Sequence, residues 1–249
     1  MIGGASRAAL LLGAYGVAAA WCVRVADMLR NLPTVTDLTS AEWSDAPRNG
    51  ASLTVVVAAR NEAEKIVATL DSLLGSDYEN LAVIAVDDRS TDATGALLDA
   101  HAARFPGRLR VLHVDELADG WLGKTYAMQL AFEKTTSEFV LFTDADILFS
   151  PVILRKAVAY AERSGAAHLV VMPTTIVQSW REGMVLGFLQ VIGMWVVRPW
   201  RVPDQTARRD ALGVGAFNMV RREALQALGG LEPQRLTVLE DVHLGLRFK

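Results

Sequence analysis

The sequence predicts an α/β domain with a mostly parallel sheet, preceded by an N-terminal helix apolar enough to enter a membrane. Three observations carry this prediction: nearly continuous apolar runs alternate with helical periodicity, the links between them are short, and an uncharged stretch lies near the N-terminus. Continuous apolar runs are typical of strands that helices cover on both faces. Strands alternating with helices indicate a parallel sheet with right-handed crossovers.

Composition narrows the class of protein. The 249 residues can bury one sizeable core. A hydrophobic share of 51% and a mean hydropathy of +0.24 exceed those of a typical soluble domain. The net charge of -3 and the scattered Lys and Arg residues disfavour nucleic-acid binding. Cys22 is the single cysteine, which excludes an intramolecular disulfide.

The apolar excess begins with an uncharged run over residues 8–23. A membrane helix and a cleaved signal peptide both fit this run. Arg24 and Arg30 follow it directly and favour a retained anchor over residues 1–30, in a cell inner membrane with the remaining chain on the cytoplasmic side. Residues 31–51 are rich in Pro, Asn, Thr, Ser and Asp, which indicates a linker.

The part of the chain after the linker alternates between strand and helix patterns. Strands are predicted over 53–59, 81–86, 109–114, 139–143, 168–172 and 213–220. Helices are predicted over 62–74, from residue 92 to about 105, over 124–136, from residue 150, over 221–228 and from residue 240. Asn61 and Glu64 have the spacing of a capping box for the first of these helices.

A second strongly apolar segment covers residues 175–201 and contains three tryptophans with flanking arginines. This composition favours a helix in the membrane interface, where indole rings lie at headgroup level. A helix packed across the sheet and a dimer contact are the alternatives.

Acidic residues cluster where the predicted strands end. Asp144 and Asp146 lie one residue apart, so in an extended chain their side chains point the same way and can approach one divalent cation. A turn that uses Asp to cap the backbone is the alternative for this pair alone.

Parallel strands bring their carboxyl ends to one edge, where ligands bind in such sheets. The same edge is predicted to hold Asn61, Glu62, Asp87 and Asp88. Carboxylates gathered there repel one another unless a cation or a ligand lies between them, so we expect a metal site.

The glycine-rich phosphate loops of dinucleotide and P-loop sites are absent from the sequence. A nucleotide diphosphate would then be held through the metal, with Lys124 at a helix start as a candidate phosphate contact; the alternative is a solvated helix-end lysine. Glu240 and Asp241 open the last predicted helix, whose dipole keeps Asp241 ionised and usable as a base. An ordinary acidic first turn is the alternative there, and His243 is more often structural than a ligand at such a position.

Four short motifs in order, within residues 52–249, resemble the GT-A glycosyltransferases of family 2. They are Val-Val-Val-Ala-Ala-Arg-Asn-Glu at 55–62, Val-Asp-Asp-Arg-Ser-Thr-Asp at 86–92, Asp-Ala-Asp at 144–146, and Glu-Asp at 240–241. The stretch Gly-Trp-Leu-Gly-Lys-Thr-Tyr-Ala at 120–127 resembles a loop of the lipid-directed branch, which includes ceramide glucosyltransferase-like and hopanoid-associated members.

This resemblance implies a Rossmann-like three-layer sandwich with a nucleotide-binding half over 52–150 and an acceptor-side half over 151–249. It implies that Asp87 contacts the base edge of uridine, Glu62 and Asp144 lie near the ribose, and Asp146, with Asp144 beside it, holds Mg²⁺ or Mn²⁺. Asp241 would be the catalytic base, with Glu240 next to it in the catalytic pair. The remaining residues expected at the donor nucleotide are Ala59, Asn61, Asp88 and Lys124.

The expected activity is inverting transfer of a sugar from a nucleotide-sugar, in the first place a UDP-sugar, to a hydroxyl of a membrane lipid or polyprenoid. The alternatives are a sugar nucleotidyltransferase, a transferase to a polysaccharide, and a phospho-acceptor receiver module. A nucleotidyltransferase would carry a glycine-rich loop where this chain has Ala-Ala-Arg-Asn at 58–61, and receivers are about half this length. The sequence ends inside its last predicted helix, before the family's Q/R-x-x-R-W motif, so we expect a fragment of a longer protein. The oligomeric state is open.

Overall fold

The computed structural model describes the backbone of residues 4–249 and the side chains of residues 8–249. The first three residues of the predicted anchor lie outside this range. The chain forms two compact units: the larger contains residues 38–175 and 212–249, and the smaller contains the described residues up to 37 together with 176–211.

Six strands and eight α-helices occur in the described residues. The strands are β1 (Leu53–Ala59), β2 (Leu81–Asp88), β3 (Leu109–Val114), β4 (Phe139–Asp144), β5 (His168–Val170) and β6 (Asn218–Arg221). The helices are α1 (Gly4–Asn31), α2 (Ile66–Leu74), α3 (Thr94–Arg104), α4 (Gly123–Lys134), α5 (Ile153–Ser164), α6 (Trp180–Val196), α7 (Arg222–Ala227) and α8 (Glu240–Arg247).

The strands form one sheet in the order β3-β2-β1-β4-β6-β5, in which β6 runs opposite to the other five strands. Helices cover both faces. Alternate residues of β1 point to opposite sides: Val55 and Val57 pack with α2, α3 and α5, while Val56 packs with α4, α7 and α8. Because neither face of the central strands meets water, their sequences are apolar throughout. The predicted α/β fold with a mostly parallel sheet is confirmed.

Two element boundaries differ from the predictions in ways that matter for the site. The helix predicted from residue 62 begins at Ile66, because Asn61 adopts a left-handed conformation with φ of 57° and leaves the capping-box geometry. The strand predicted from residue 213 begins at Asn218, and the glycine-containing segment before it is a loop.

The segment before β1 packs on α5 from Leu38 onward. Trp43 is 3% exposed, and the Lys156 ammonium donates to the carbonyl of Leu38 at 2.9 Å. Arg155 donates to the carbonyls of Ser44 and Ala46. The part of the predicted linker 31–51 that begins at Leu38 therefore contributes to the core of the larger unit.

The smaller unit contains α1 and α6. The rings of Trp21 and Trp195 lie with centroids 3.7 Å apart, and the Arg24 guanidinium donates to the carbonyl of Trp195 at 3.0 Å. By length and composition, two stretches of the described residues are candidate membrane spans: Ala8–Thr34 and Trp180–Arg201. The first contains the uncharged run over residues 8–23 of the predicted anchor.

Candidate active site

The carboxyl ends of β1, β2 and β4 lie level with one another. Ala59 pairs with Asp87 across β1 and β2, and Ala58 pairs with Asp144 across β1 and β4. This register gathers at one edge the acids that the sequence predicted there.

Strand alternation sends the two aspartates of β2 to opposite faces of the sheet. Asp88 faces α4, where a Cβ added to Gly123 would lie 2.1 Å from its Oδ2 atom. Only glycine lets the helix start approach this carboxylate so closely. Arg89, itself left-handed with φ of 56°, donates to Asp88 Oδ1 at 2.8 Å. Asp88 is thus buried but paired with a cation.

Asp87 faces α3 instead. Its Oδ2 atom lies 3.2 Å from His113 Nδ1, and a Cβ on Gly95 would lie 2.6 Å from the same oxygen. His113 Nε2 lies 3.0 Å from Asp99 Oδ1. The hydrogen bond with Asp99, which outweighs burial, and a second with Asp87 raise the pKa of His113 above its ordinary value.

The turns after β1 and β2 are joined by hydrogen bonds. Asn61 accepts from the Thr91 backbone N–H at 2.8 Å through its side-chain oxygen, and its own N–H donates to the Ser90 hydroxyl. The Glu62 N–H donates to the Thr94 hydroxyl at 2.8 Å. The side chain of Asn61 therefore fixes the loop beside Glu62.

A cleft of about 420 Å³ opens at this edge of the sheet. Its lining contains most of the predicted donor and metal residues; it consists of Ala58, Ala59, Arg60, Glu62, Asp88, Gly123, Lys124, Asp144, Ala145 and Asp146. Asn61 and Asp87 are not in this lining; both support the loops around it.

Lys124 joins three elements at the floor of the cleft. Its ammonium lies 2.7 Å from Asp144 Oδ1 at the end of β4 and 2.5 Å from Glu240 Oε1 at the start of α8. Glu240 is 6% exposed. Burial opposes the charge on the amine, but the hydrogen bonds with Asp144 and Glu240 outweigh it and raise the pKa of Lys124. Lys124 therefore stays charged and neutralises two carboxylates.

Asp146 lies at the mouth of the cleft, with its Oδ2 atom 3.2 Å from the Lys65 ammonium. Hydrogen bonding and charge attraction to Asp146 raise the pKa of Lys65. In the described part of the chain, no three His, Cys, Asp or Glu side chains are grouped to hold a metal ion. The donor chemistry nevertheless fits Mg²⁺ or Mn²⁺ that arrives with a diphosphate, since such ions take one or two carboxylates and complete their shell with phosphate oxygens and water.

The glycine-containing loop before β6 connects Asp144 with α8. The Gly215 carbonyl accepts from the Asp144 N–H at 3.1 Å, and a Cβ on Gly215 would lie 2.6 Å from Asp144 Oδ2. A Cβ on Gly213 would lie 1.7 Å from the carbonyl oxygen of Asp241. The glycines therefore allow a close backbone approach, in a loop where the sequence predicted a strand.

Asp241 is half-buried in the first turn of α8, where its Oδ1 atom accepts from the Val242 N–H at 2.7 Å. It is not among the residues lining the cleft. His243 is exposed two residues further along α8.

Sequence reasoning missed four partners of the site: Lys65, Arg89, His113 and Arg60. The place of His113 could have been inferred, because it pairs in register with Asp87 on the adjacent parallel strand. The positions of Lys65, Arg89 and Arg60 depend on the conformations of the turns after β1 and β2, which the local sequence does not specify.

The mostly parallel sheet, with acids, a lysine and a helix N-terminus around a cleft at its carboxyl edge, agrees with the GT-A architecture that the family resemblance implied. The chain belongs to glycosyl transferase family 2, whose family model matches residues 54–229, more than half of the chain. The glycosyltransferase class predicted from the sequence is thereby confirmed at the level of the family.

The curated relatives include 4,4'-diaponeurosporenoate glycosyltransferases of Staphylococcus aureus, among them those of strains bovine RF122 / ET3-1 and USA300. Each is 28% identical over 205 residues, which cover 79% of this chain and 51% of the relative. The chain therefore spans about half the length of the curated relatives it matches.

Two solved structures illustrate the fold match. The mannosyltransferase PcManGT from Pyrobaculum calidifontis, in complex with GDP-Man and Mn²⁺, superposes with a TM-score of 0.55 at 23% identity, over 86% of this chain and 56% of that one. TarS of S. aureus in complex with UDP-GlcNAc gives a TM-score of 0.53 at 20% identity, over 79% of this chain and 52% of that one. At these identities the likeness concerns the fold.

Proposed function

We propose that this chain is the catalytic part of a metal-dependent, inverting glycosyltransferase that moves a sugar from a nucleoside-diphosphate sugar to an apolar, membrane-borne acceptor. The observation that carries the proposal is the convergence on one cleft of Asp144, Asp146, Lys124 and the N-terminus of α4. Carboxylates, an ammonium and free helix N–H groups are together the chemistry that holds a metal–diphosphate.

The nucleoside would lie against Glu62 and Asp88, the acids that line the cleft next to β1 and β2. We propose Asp88 as the member of the aspartate pair that faces the base, with Asp87 holding its loop from behind. The solved neighbours carry either a GDP or a UDP group, so the preference for UDP expected from the sequence is a matter for measurement.

Asp146 and Asp144 would hold the Mg²⁺ or Mn²⁺ ion. The metal would neutralise charge that gathers on the leaving diphosphate, which is the largest electrostatic demand of this reaction. Lys124 and the N–H groups of α4 would contribute to that neutralisation from the chain side.

Asp241 is proposed as the base that accepts the proton of an acceptor hydroxyl. Glu240 then has a different role. Because it is buried and binds Lys124, we propose it as a positioning residue that keeps the ammonium in the cleft when Asp144 engages the metal. The carbonyl of Asp241 rests against Gly213, which ties the base to the loop that carries Gly215 and contacts Asp144.

The acceptor chemistry decides whether a base is needed at all. The curated relatives are named for a carotenoid acid, and the carboxylate of an acid is already deprotonated at neutral pH. A hydroxyl requires Asp241, whereas a carboxylate does not. Asp241→Asn should therefore abolish transfer to a hydroxyl acceptor while leaving nucleotide binding intact, and unchanged transfer by this variant would indicate a carboxylate acceptor.

Two measurements test the proposal on the full-length protein. Calorimetry with UDP and with GDP, in Mn²⁺ and in EDTA, should show metal-dependent binding of one of them, and Asp146→Asn should remove the metal dependence. Asp45→Asn, at an exposed position in the segment before β1, is the matched control. Equal affinity in EDTA would count against the metal site.

The second measurement is incubation with a panel of nucleotide-sugars, Mn²⁺ and a total lipid extract, followed by mass spectrometry. A glycosylated lipid and free nucleoside diphosphate are expected. Release of pyrophosphate would instead indicate a nucleotidyltransferase, and a product confined to the aqueous phase would indicate a soluble or polysaccharide acceptor.

A further inference from the structure

The helix α6 is long and apolar enough to be a candidate membrane span, but its connections restrict what it can do. The chain leaves the sheet after β5, forms α6, and returns to the sheet at β6. β5 and β6 are hydrogen-bonded neighbours, with Leu169 opposite Met219. Both connections of α6 therefore end at the same edge of the same sheet.

The return connection is too short to cross a bilayer. Arg198 donates two hydrogen bonds to Asp210, of 2.9 Å from Nε and 2.6 Å from Nη2, so the polar loop between them closes on itself. Only residues 211–217 then remain to reach β6. Seven residues extend to at most about 25 Å, less than the roughly 30 Å of a bilayer's hydrocarbon core.

The apolar part of α6 is also short for a span. No charged residue occurs in the last 14 residues of α6, over 183–196. At the rise of an α-helix they cover about 21 Å, which suits a segment that enters one leaflet and not one that crosses both.

The surface of α6 is apolar enough to lie in contact with lipid. Its large apolar side chains are exposed on several sides, as for Met184 at 61%, Phe188 at 63% and Leu189 at 56%. Trp180 precedes the apolar part, and Trp195 and Trp200 lie at its end, the positions that indole rings take at a membrane surface. The exposed Arg208 and Arg209 in the following loop complement anionic headgroups.

We propose that α6 is a monotopic membrane insertion: it enters the leaflet nearest the sheet-containing unit and leaves on the same side. In this arrangement the exposed apolar side chains of α6 contact the lipid of that leaflet and not a groove in another protein. The contact of Arg24 and Trp21 with Trp195 is consistent with this placement, because it puts the carboxyl end of α6 beside the arginine-bearing end of α1. The proposal concerns membrane topology and is independent of the donor and the acceptor.

The test is cysteine accessibility in the full chain, which needs one background change because Cys22 is the single cysteine. In Cys22→Ser, single cysteines replace three exposed residues: Gln178 before α6, Gln205 after it, and Thr136 as a marker for the side of the larger unit. In sealed vesicles of either orientation, a membrane-impermeant maleimide should label all three from the same side. Labelling of Gln205→Cys from the side opposite to Thr136→Cys would overturn the proposal.

A fourth position distinguishes insertion from simple exposure. Phe188→Cys, in the middle of α6, should react at least tenfold more slowly than Gln205→Cys in vesicles and at a similar rate after detergent is added. If Phe188→Cys reacts as fast as Gln205→Cys in intact vesicles, α6 lies in water. If it stays protected in detergent, protein covers it. Either result refutes the proposal.

Discussion

The pair formed by Lys124 and Glu240 gives a prediction whose size follows from the structure. Lys124→Met removes the ammonium but keeps the length of the side chain. The side chain of Asp144 is 39% exposed and can then be hydrated, whereas the side chain of Glu240 is only 8% exposed and cannot. The main cost of the change is therefore a buried carboxylate without a partner.

The magnitude can be bounded from both sides. Removing one partner of a fully buried ion pair costs about 3–5 kcal/mol. Since the Lys124 side chain is 38% exposed, water reaches the site and we expect about 2–3 kcal/mol. Glu240→Gln keeps an oxygen that accepts from Lys124 and should cost about 1 kcal/mol. In the double variant no charge is buried alone, so its cost should be about 1–2 kcal/mol, well below the sum.

Thermal unfolding followed by tryptophan fluorescence in detergent measures this cycle. Lys124→Met should lower the midpoint by roughly 5–10 °C at the 2–4 °C per kcal/mol typical of chains of this size. Adding Glu240→Gln should restore part of that loss. Lys134→Met, an exposed lysine at the end of the same helix, should leave the midpoint unchanged. Strictly additive effects of the two single changes would refute the coupling and, with it, the positioning role of Glu240.

Two further predictions concern the support of the site. Because the pKa of His113 is raised, its ion pairs stabilise the fold fully below the ordinary value of 6.5 and lose that contribution as pH rises through the folded pKa. His113→Gln should therefore lower the melting midpoint more at pH 5.5 than at pH 9. An equal lowering at both pH values would contradict the pairing with Asp99. Gly213→Ala puts a methyl 1.7 Å from the Asp241 carbonyl oxygen, so the loop or α8 must shift. It should cost about 1–3 kcal/mol of stability and reduce turnover at saturating donor, whereas Gly187→Ala, where a methyl meets open space, should do neither.

The sheet could be predicted from the sequence because its signal is local. The strands β1 and β3 have the predicted bounds, since both are rich in Val and Leu and are flanked by polar or turn residues. The acids of the cleft were also predictable, because parallel topology brings strand ends together whatever the loops do. Period-two alternation along β2 also implies that Asp87 and Asp88 face different sides of the sheet, so that only one of them can face the cleft.

The contact between Lys124 and Glu240 could not be predicted in this way. These residues are 116 positions apart, and their proximity depends on how α8 packs on the sheet through Leu244 and on the glycine loop beneath it. The start of α2 at Ile66, later than predicted, depends on a similar contact, because the Asn61 side chain accepts a hydrogen bond from the turn after β2 instead of capping its own helix. Long-range side-chain contacts decide both features.

The cations of the chain itself change the case for a metal. The sequence suggested that carboxylates at one edge require an added ion, yet Lys65 and Lys124 already neutralise Asp146 and Asp144. An entering diphosphate, by contrast, brings added negative charge, which Arg60 and the N-terminus of α4 in the cleft lining offset only in part. The divalent ion should therefore bind with the nucleotide and only weakly before it. Titration of free Mn²⁺ by electron paramagnetic resonance should show an affinity at least tenfold higher, about 1.4 kcal/mol, when the preferred nucleoside diphosphate is present. Because linkage is reciprocal, Mn²⁺ must raise nucleotide affinity by the same factor, and tight Mn²⁺ binding to the nucleotide-free protein would contradict this view of the lysines.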